Sequence, residues 1–153
     1  MNASWSIRQA RLEDRAAWRQ LRTALWLDEL LADDAAEIER IVARPHDNVA
    51  FLGVDAHGMA IGFAEATLRR DHVNGTDTSP VGFLEGLYVI PSMRRLGVGR
   101  ALVAAVEQWT RERRCTELAS DALLDNTGSH AAHVAYGFEE TERVVYFRKP
   151  LTP

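Results

Sequence analysis

Apolar and polar positions along the chain change period several times, and each change marks an element. Residues 6–10 alternate as a short strand. Between 13 and 26, Ala17, Trp18, Leu21, Ala24 and Leu25 keep helical spacing. Ile38, Ile41 and Val42 place a second helix over 34–43, closed by Pro45. Residues 49–55 and 60–68 read as strands joined at Ala56-His57-Gly58, which makes a hairpin. The polar stretch 69–80 carries Asn74-Gly75 and reads as a loop. Residues 81–90 form the next strand. Leu102, Val103, Val106 and Trp109 then give the following helix one apolar stripe. Residues 116–120 are a short strand. Residues 126–136 are a helix that Gly137 stops as a left-handed cap. Residues 142–147 read as a last strand, with Val144, Tyr146 and Arg148 on one face. The order is β-α-α-β-β-β-α-β-α-β, an α/β chain.

The size fits one domain spanning 1–153, and 46% hydrophobic residues suffice for a core without metal or disulfides. No apolar stretch nears the roughly 20 residues of a membrane helix. The N-terminus lacks the apolar centre of a secretion signal. The single cysteine, Cys115, excludes an internal disulfide and a cysteine-rich zinc site. A cytoplasmic protein is the expectation. The net charge of −4 argues against nucleic acid, whose binding needs a basic surface. It is compatible with a cationic substrate.

The segment Tyr88-Val-Ile-Pro-Ser-Met-Arg-Arg-Leu-Gly-Val-Gly-Arg100 carries the chemistry. A strand ends at Pro91, and a helix starts just after two glycines. Such a turn gathers backbone N–H groups at the positive end of a helix, with no glycine side chain to block a diphosphate. A Walker loop is absent, since no Gly-Lys-Ser/Thr follows. A dinucleotide fingerprint would need a third glycine where Leu102 stands. The spacing Arg-x-x-Gly-x-Gly, placed strand-to-helix, resembles the acetyl-CoA signature of the GNAT N-acetyltransferases. The element order resembles that family over almost the whole chain.

The resemblance implies a single-domain GNAT fold. Its central sheet is mixed and mostly antiparallel, splayed between the strands at 81–90 and 116–120, with helices on both faces. A pantetheine arm would pair in the splay with the backbone of Leu87, Tyr88 and Val89. Arg95, Leu96, Gly97, Val98, Gly99 and Arg100 would cradle the diphosphate, with charge added by Arg94, Arg95 and Arg100. Asn126 matches a family position that contacts the cofactor; on its own it suits a helix N-cap. Acetyl-CoA is then the co-substrate, and no metal is expected.

Longer runs are similar to one subgroup, the bacterial aminoglycoside 6′-N-acetyltransferases. They cover 73–89, ending in Gly82-Phe-Leu-Glu-Gly-Leu-Tyr-Val89, then 117–122, 124–126, 129–130 and 137–147. This implies acetyl transfer to the 6′-amine of drugs such as kanamycin, tobramycin or amikacin, and a homodimer.

Among individual residues, Glu85 alternates with Phe83 and Leu87 and is expected to share their face. A carboxylate on a central strand is costly to bury without a partner. An incoming ammonium must lose a proton, and Glu85 or Asp121 can accept it or simply bind the cation. Glu142 lies in Glu139-Glu-Thr-Glu142, a run that matches the subgroup, and is expected to be a substrate carboxylate; Asp28, Glu29, Asp71 and Asp77 are further candidates for a polycationic ligand. Trp26 offers a flat face to a sugar or ammonium; Trp18 and Trp109 are core residues. His72 matches an aromatic position that lines the drug pocket in the family. The family's usual tyrosine, four residues before Gly-Phe, is His133 here; it is either the acid for the thiolate or a packing residue, with water as acid. His130 and His133 lack a third ligand for a metal, and Cys115 is a bystander. An acetyltransferase for another amine, such as a polyamine or a protein N-terminus, and a non-catalytic acyl-CoA-binding module are the rival readings.

Overall fold

The computed structural model describes residues 4–27 and 34–153. Its contacts divide the chain into two units, Met1–Asp121 and Ala122–Pro153. The first unit holds β1 (Trp5–Gln9), α1 (Arg15–Leu25), α2 (Asp34–Ala43), β2 (Asn48–Asp55), β3 (Ala60–Arg69), β4 (Val81–Val89), α3 (Val98–Glu112) and β5 (Leu118–Ser120). The strands lie in the order β1-β2-β3-β4-β5. Every neighbour is antiparallel except the β4–β5 pair, which is parallel. The mixed, mostly antiparallel sheet expected from the sequence is therefore present.

Alternation sorts side chains onto two faces. On one face Leu52 and Phe63 pack with Trp18 and Leu21 of α1 and Ile38 and Ile41 of α2 in one buried cluster. The other face meets α3. There a methyl group added at Gly62 would touch Leu102, and one at Gly53 would touch Val98. Trp18 is fully buried and Trp109 nearly so, as core tryptophans should be. The helices form where the apolar stripe has a sheet face to cover, which supplies most helical stability in a folded chain.

The β4–β5 ladder is short. It joins Gly82 to Leu118, Phe83 to Ala119 and Leu84 to Ser120, and no further. Beyond Leu84 the β5 side of β4 has no strand partner among the described residues, which is the expected splay.

In the second unit α4 (Thr127–Ala135) is the one regular element among the described residues. Gly137 follows it with φ +94°, the left-handed conformation expected there. The last strand expected at 142–147 does not form, and residues 138–153 hold no helix or strand. Val145, Tyr146 and Phe147 are 74%, 87% and 92% exposed. Alternation records a tendency to extend, but a strand also needs an edge to pair with.

A two-pronged ion pair ties β1 to the start of α1. Arg8 Nη1 and Nη2 donate to the two Asp14 carboxylate oxygens, both at 2.8 Å. The Arg11 amide adds a third bond at 2.8 Å. The Arg8 hydrogen bonds hold the Asp14 carboxyl down at about 2, against the opposing effect of burial. Folding thus favours the ionised form. The resulting stability is whole above pH 3.8 and is lost as pH falls towards about 2. Arg8 is partly exposed, so Asp14→Asn should cost about 1 kcal/mol at pH 7 after solvent screening. Urea denaturation should find the difference from the parent vanishing near pH 2.

Candidate active site

One extra residue in β4 shapes this region. Glu65 of β3 stands opposite Gly86, and Ala66 stands opposite Leu84, so Glu85 has no partner. This is a β-bulge, and it breaks the alternation. Before it, Phe83 and Glu85 lie on the α1 face. After it, Gly86 faces Trp26 and Tyr88 packs against the α1-side cluster. Val89 faces Leu102 instead, near Gly62. The expectation that Glu85 shares a face with Leu87 is therefore corrected: it shares Phe83's face, and the bulge reverses the parity for Leu87.

Three donors converge on one oxygen of Glu85. Thr67 Oγ1 donates to Oε1 at 2.7 Å, Arg69 Nη2 at 2.8 Å and Arg69 Nε at 3.3 Å. The Arg69 guanidinium lies 3.5 Å over the Phe83 ring centroid, which restricts its motion. Oε2 accepts no hydrogen bond among the described residues, and the side chain is 30% exposed. One oxygen is anchored and the other is open to a cation.

Trp26 lies beside this carboxylate's strand. Its ring meets Phe63 edge-on with centroids 5.9 Å apart. A methyl group at Gly86 would sit 2.7 Å from the indole, so only glycine allows this approach. Trp26 is half-buried, with part of the ring open.

The glycine turn takes the expected form. Ile90 leads into a 3₁₀ turn, Pro91–Met93. Arg95 then adopts φ +63° and Gly97 φ +89°, and α3 begins at Val98 without a side-chain cap. The first-turn amides of a helix have no partner within it, which leaves the turn donors at the positive end of α3; Gly97 is exposed there, and Val98 and Gly99 are buried. Leu96 is 46% exposed, and Arg95 and Arg100 are exposed as well. The donor set fits a diphosphate. Arg94 is exposed too; its Nε donates to the Val89 carbonyl at 2.8 Å, and its guanidinium lies 5.4 Å from the Tyr88 ring centroid.

Asp121 follows β5 directly and is exposed. His72, Asp71 and Asp77 lie exposed in the loop before β4. Glu117 ties down that loop's far end by accepting from the Thr78 amide at 2.7 Å and the Asp77 amide at 3.0 Å. The Thr78 hydroxyl bond lowers the Glu117 pKa. Asp28 and Glu29 lie outside the described residues. Cys115 is buried, and burial pushes its thiol upward.

Within the second unit Asn126 is an N-cap: its Oδ1 accepts from the Ser129 amide at 3.1 Å. His133 Nδ1 lies 2.7 Å from the Ser129 carbonyl, which can only accept. Nδ1 therefore carries the proton, and a neutral ring has its lone pair on Nε2. The ring also meets Phe138 edge-on, with centroids 5.2 Å apart. Glu142 is exposed in the irregular tail.

Sequence reasoning missed Thr67, Arg69 and the bulge. The signal for the first two was their alternate spacing on β3, but their partner depends on register.

The sequence profile described as the Acetyltransferase (GNAT) family matches residues 11–138. A Stenotrophomonas maltophilia protein named aminoglycoside N(6′)-acetyltransferase type 1 is 55% identical over 148 residues, covering 97% of this chain and 95% of that protein. The crystal structure of an aminoglycoside 6′-N-acetyltransferase from Acinetobacter baumannii superposes with a TM-score of 0.91 at 42% identity, covering 97% of this chain and 100% of the other. A related enzyme in complex with the bisubstrate analogue CoA-S-monomethyl-acetylneamine gives 0.90 at 44% identity, with the same coverage.

Gly86→Ala should destabilise by about 1–3 kcal/mol through overpacking against Trp26. The cost should shrink in a Trp26→Ala background, which chemical denaturation of the four proteins in a double-mutant cycle will measure.

Proposed function

Because the chain belongs to the Acetyltransferase (GNAT) family, we propose that it transfers the acetyl group of acetyl-CoA to the 6′-amine of aminoglycoside antibiotics. The observation that carries this reading is 55% identity to an aminoglycoside N(6′)-acetyltransferase across nearly the full length of both chains. Physical support comes from a carboxylate with one free oxygen, on the strand that leads into an anion-binding turn. The reading assigns residues 1–153 to one transferase domain, cytoplasmic and working as a homodimer. The exposed apolar run at Val145, Tyr146 and Phe147 is the kind of surface a second copy would cover.

Acetyl-CoA supplies an acyl group activated as a thioester. Backbone amides of Arg95, Leu96, Gly97, Val98, Gly99 and Arg100 bind its diphosphate, and Arg94, Arg95 and Arg100 add positive charge nearby. The β4 edge at Leu87, Tyr88 and Val89, which no strand covers on the β5 side among the described residues, binds its amide arm as a strand would. A backbone N–H near Val89 faces the charge that develops on the acyl oxygen. Glu85 and Asp121 divide two tasks between them, holding the substrate cation and taking the proton that frees the amine. Trp26, His72 and Glu142 bind the drug, and Asn126 contacts the donor. His133, or water, returns a proton to the thiolate; as the acid, the ring works in its cationic form through Nε2–H. Acetylation removes one positive charge from the drug and weakens its hold on an RNA polyanion.

A CoA-release assay over an amine panel tests the assignment. Kanamycin and tobramycin should turn over, while a polyamine and an N-terminal peptide should not; the reverse pattern would assign the chain to another amine. Glu85→Gln and Asp121→Asn should each lower kcat/KM for tobramycin. The variant that loses kcat, by about a hundredfold or more, identifies the proton acceptor. The one that mainly raises KM identifies the cation anchor.

A further inference from the structure

A second charged cluster lies beneath α1, and the chemistry above does not use it. Arg22, Asp34 and Glu65 are only 7%, 3% and 5% exposed. Arg22 Nε donates to Asp34 Oδ1 at 2.9 Å, and Nη1 donates to Glu65 Oε1. The same Glu65 oxygen accepts Trp18 Nε1–H at 2.7 Å. Buried ion groups seldom stabilise a fold more than apolar residues of equal size, because desolvation opposes their attraction. What their mutual hydrogen bonds do supply is a fixed geometry.

The geometry in question is at the end of α1. The Arg22 guanidinium lies 4.7 Å from the Trp26 ring centroid. Asp34 opens α2 and Trp26 follows α1. One side chain therefore holds both residues that flank the connection 27–33. Trp26 in turn lies against Gly86, next to Glu85 in the bulge.

We propose that Arg22, fixed by Asp34 and Glu65, is a positioning residue that sets the Trp26 indole beside Glu85 for the incoming aminoglycoside. The inference rests on the reading that Trp26 lines the acceptor site. It assigns the cluster to acceptor affinity rather than to donor binding.

Steady-state kinetics with tobramycin and acetyl-CoA varied in turn tests it. Arg22→Met/Asp34→Asn/Glu65→Gln removes all three charges together and leaves an acceptor for Trp18. Its melting temperature should stay within about 5 °C of the parent. Its KM for tobramycin should rise about tenfold, with KM for acetyl-CoA unchanged. Trp26→Ala should give a similar rise, and adding it to the triple variant should give no more. Arg22→Lys keeps the charge but loses the planar fork, so it should raise the same KM more modestly. If the triple variant does not fold, Arg22→Lys decides. An unchanged tobramycin KM in a folded cluster variant, with Trp26→Ala impaired, overturns the inference and leaves the acceptor-site reading intact. An unimpaired Trp26→Ala removes that reading and the inference with it. Both KM values worsening together with a fall in melting temperature marks a purely structural cluster and also overturns it.

Discussion

The local architecture of the first unit depends on an unequal pairing of β4. Its β3 side is laddered from end to end, apart from one inserted residue. Its β5 side is laddered only as far as Leu84. The insertion and the end of the ladder fall at adjacent residues. Glu85 is released from the ladder where the free edge begins, and the strand beyond it presents the opposite parity. A regular strand would have turned Gly86 and Tyr88 towards α3, leaving Trp26 no flat backbone to rest on. The backbone edge of Leu87–Val89 and the glycine turn then follow in sequence, so groups of quite different chemistry are placed by one strand.

The two charged arrangements near this strand differ in how readily they can be remade. The Arg69–Glu85 pair is part-exposed, and pairs of that kind contribute about 0.2–1 kcal/mol. A cation approaching Oε2 reorganises it at little cost. The Arg22 cluster is buried, and breaking one partner of such a group costs about 3–5 kcal/mol. Burial pushes the Glu65 carboxyl upward, while Arg22 and Trp18 pull it down. The first arrangement is adaptable and the second is a rigid support, which matches their distances from solvent.

Most of the fold was legible because it rests on period. The stripes of α1 and α3, the β2–β3 hairpin and the glycine stop after α4 all appear where apolar spacing and turn residues put them. The glycine turn was legible for the same reason, since its backbone needs are written in residue type. What was not legible depends on pairing. An inserted residue leaves no mark on a two-residue period, so Glu85's true neighbours could not be read. Thr67 and Arg69 reach it only through the β3–β4 register. Residues 142–147 have the pattern of a strand but not its partner. Arg22 follows Trp18 by four residues on the buried stripe, and Glu65 follows Phe63 by two. A charge at each inward position was the clue, but only the tertiary packing joins them.

Cys115 has a practical consequence. The thiolate is the reactive species, and this thiol is both enclosed and biased towards its protonated form. Alkylating reagents will therefore pass over the native sulfur. A cysteine introduced on the exposed tail or the loop before β4 would be the one to take up a dye or spin probe, without first engineering the natural one away.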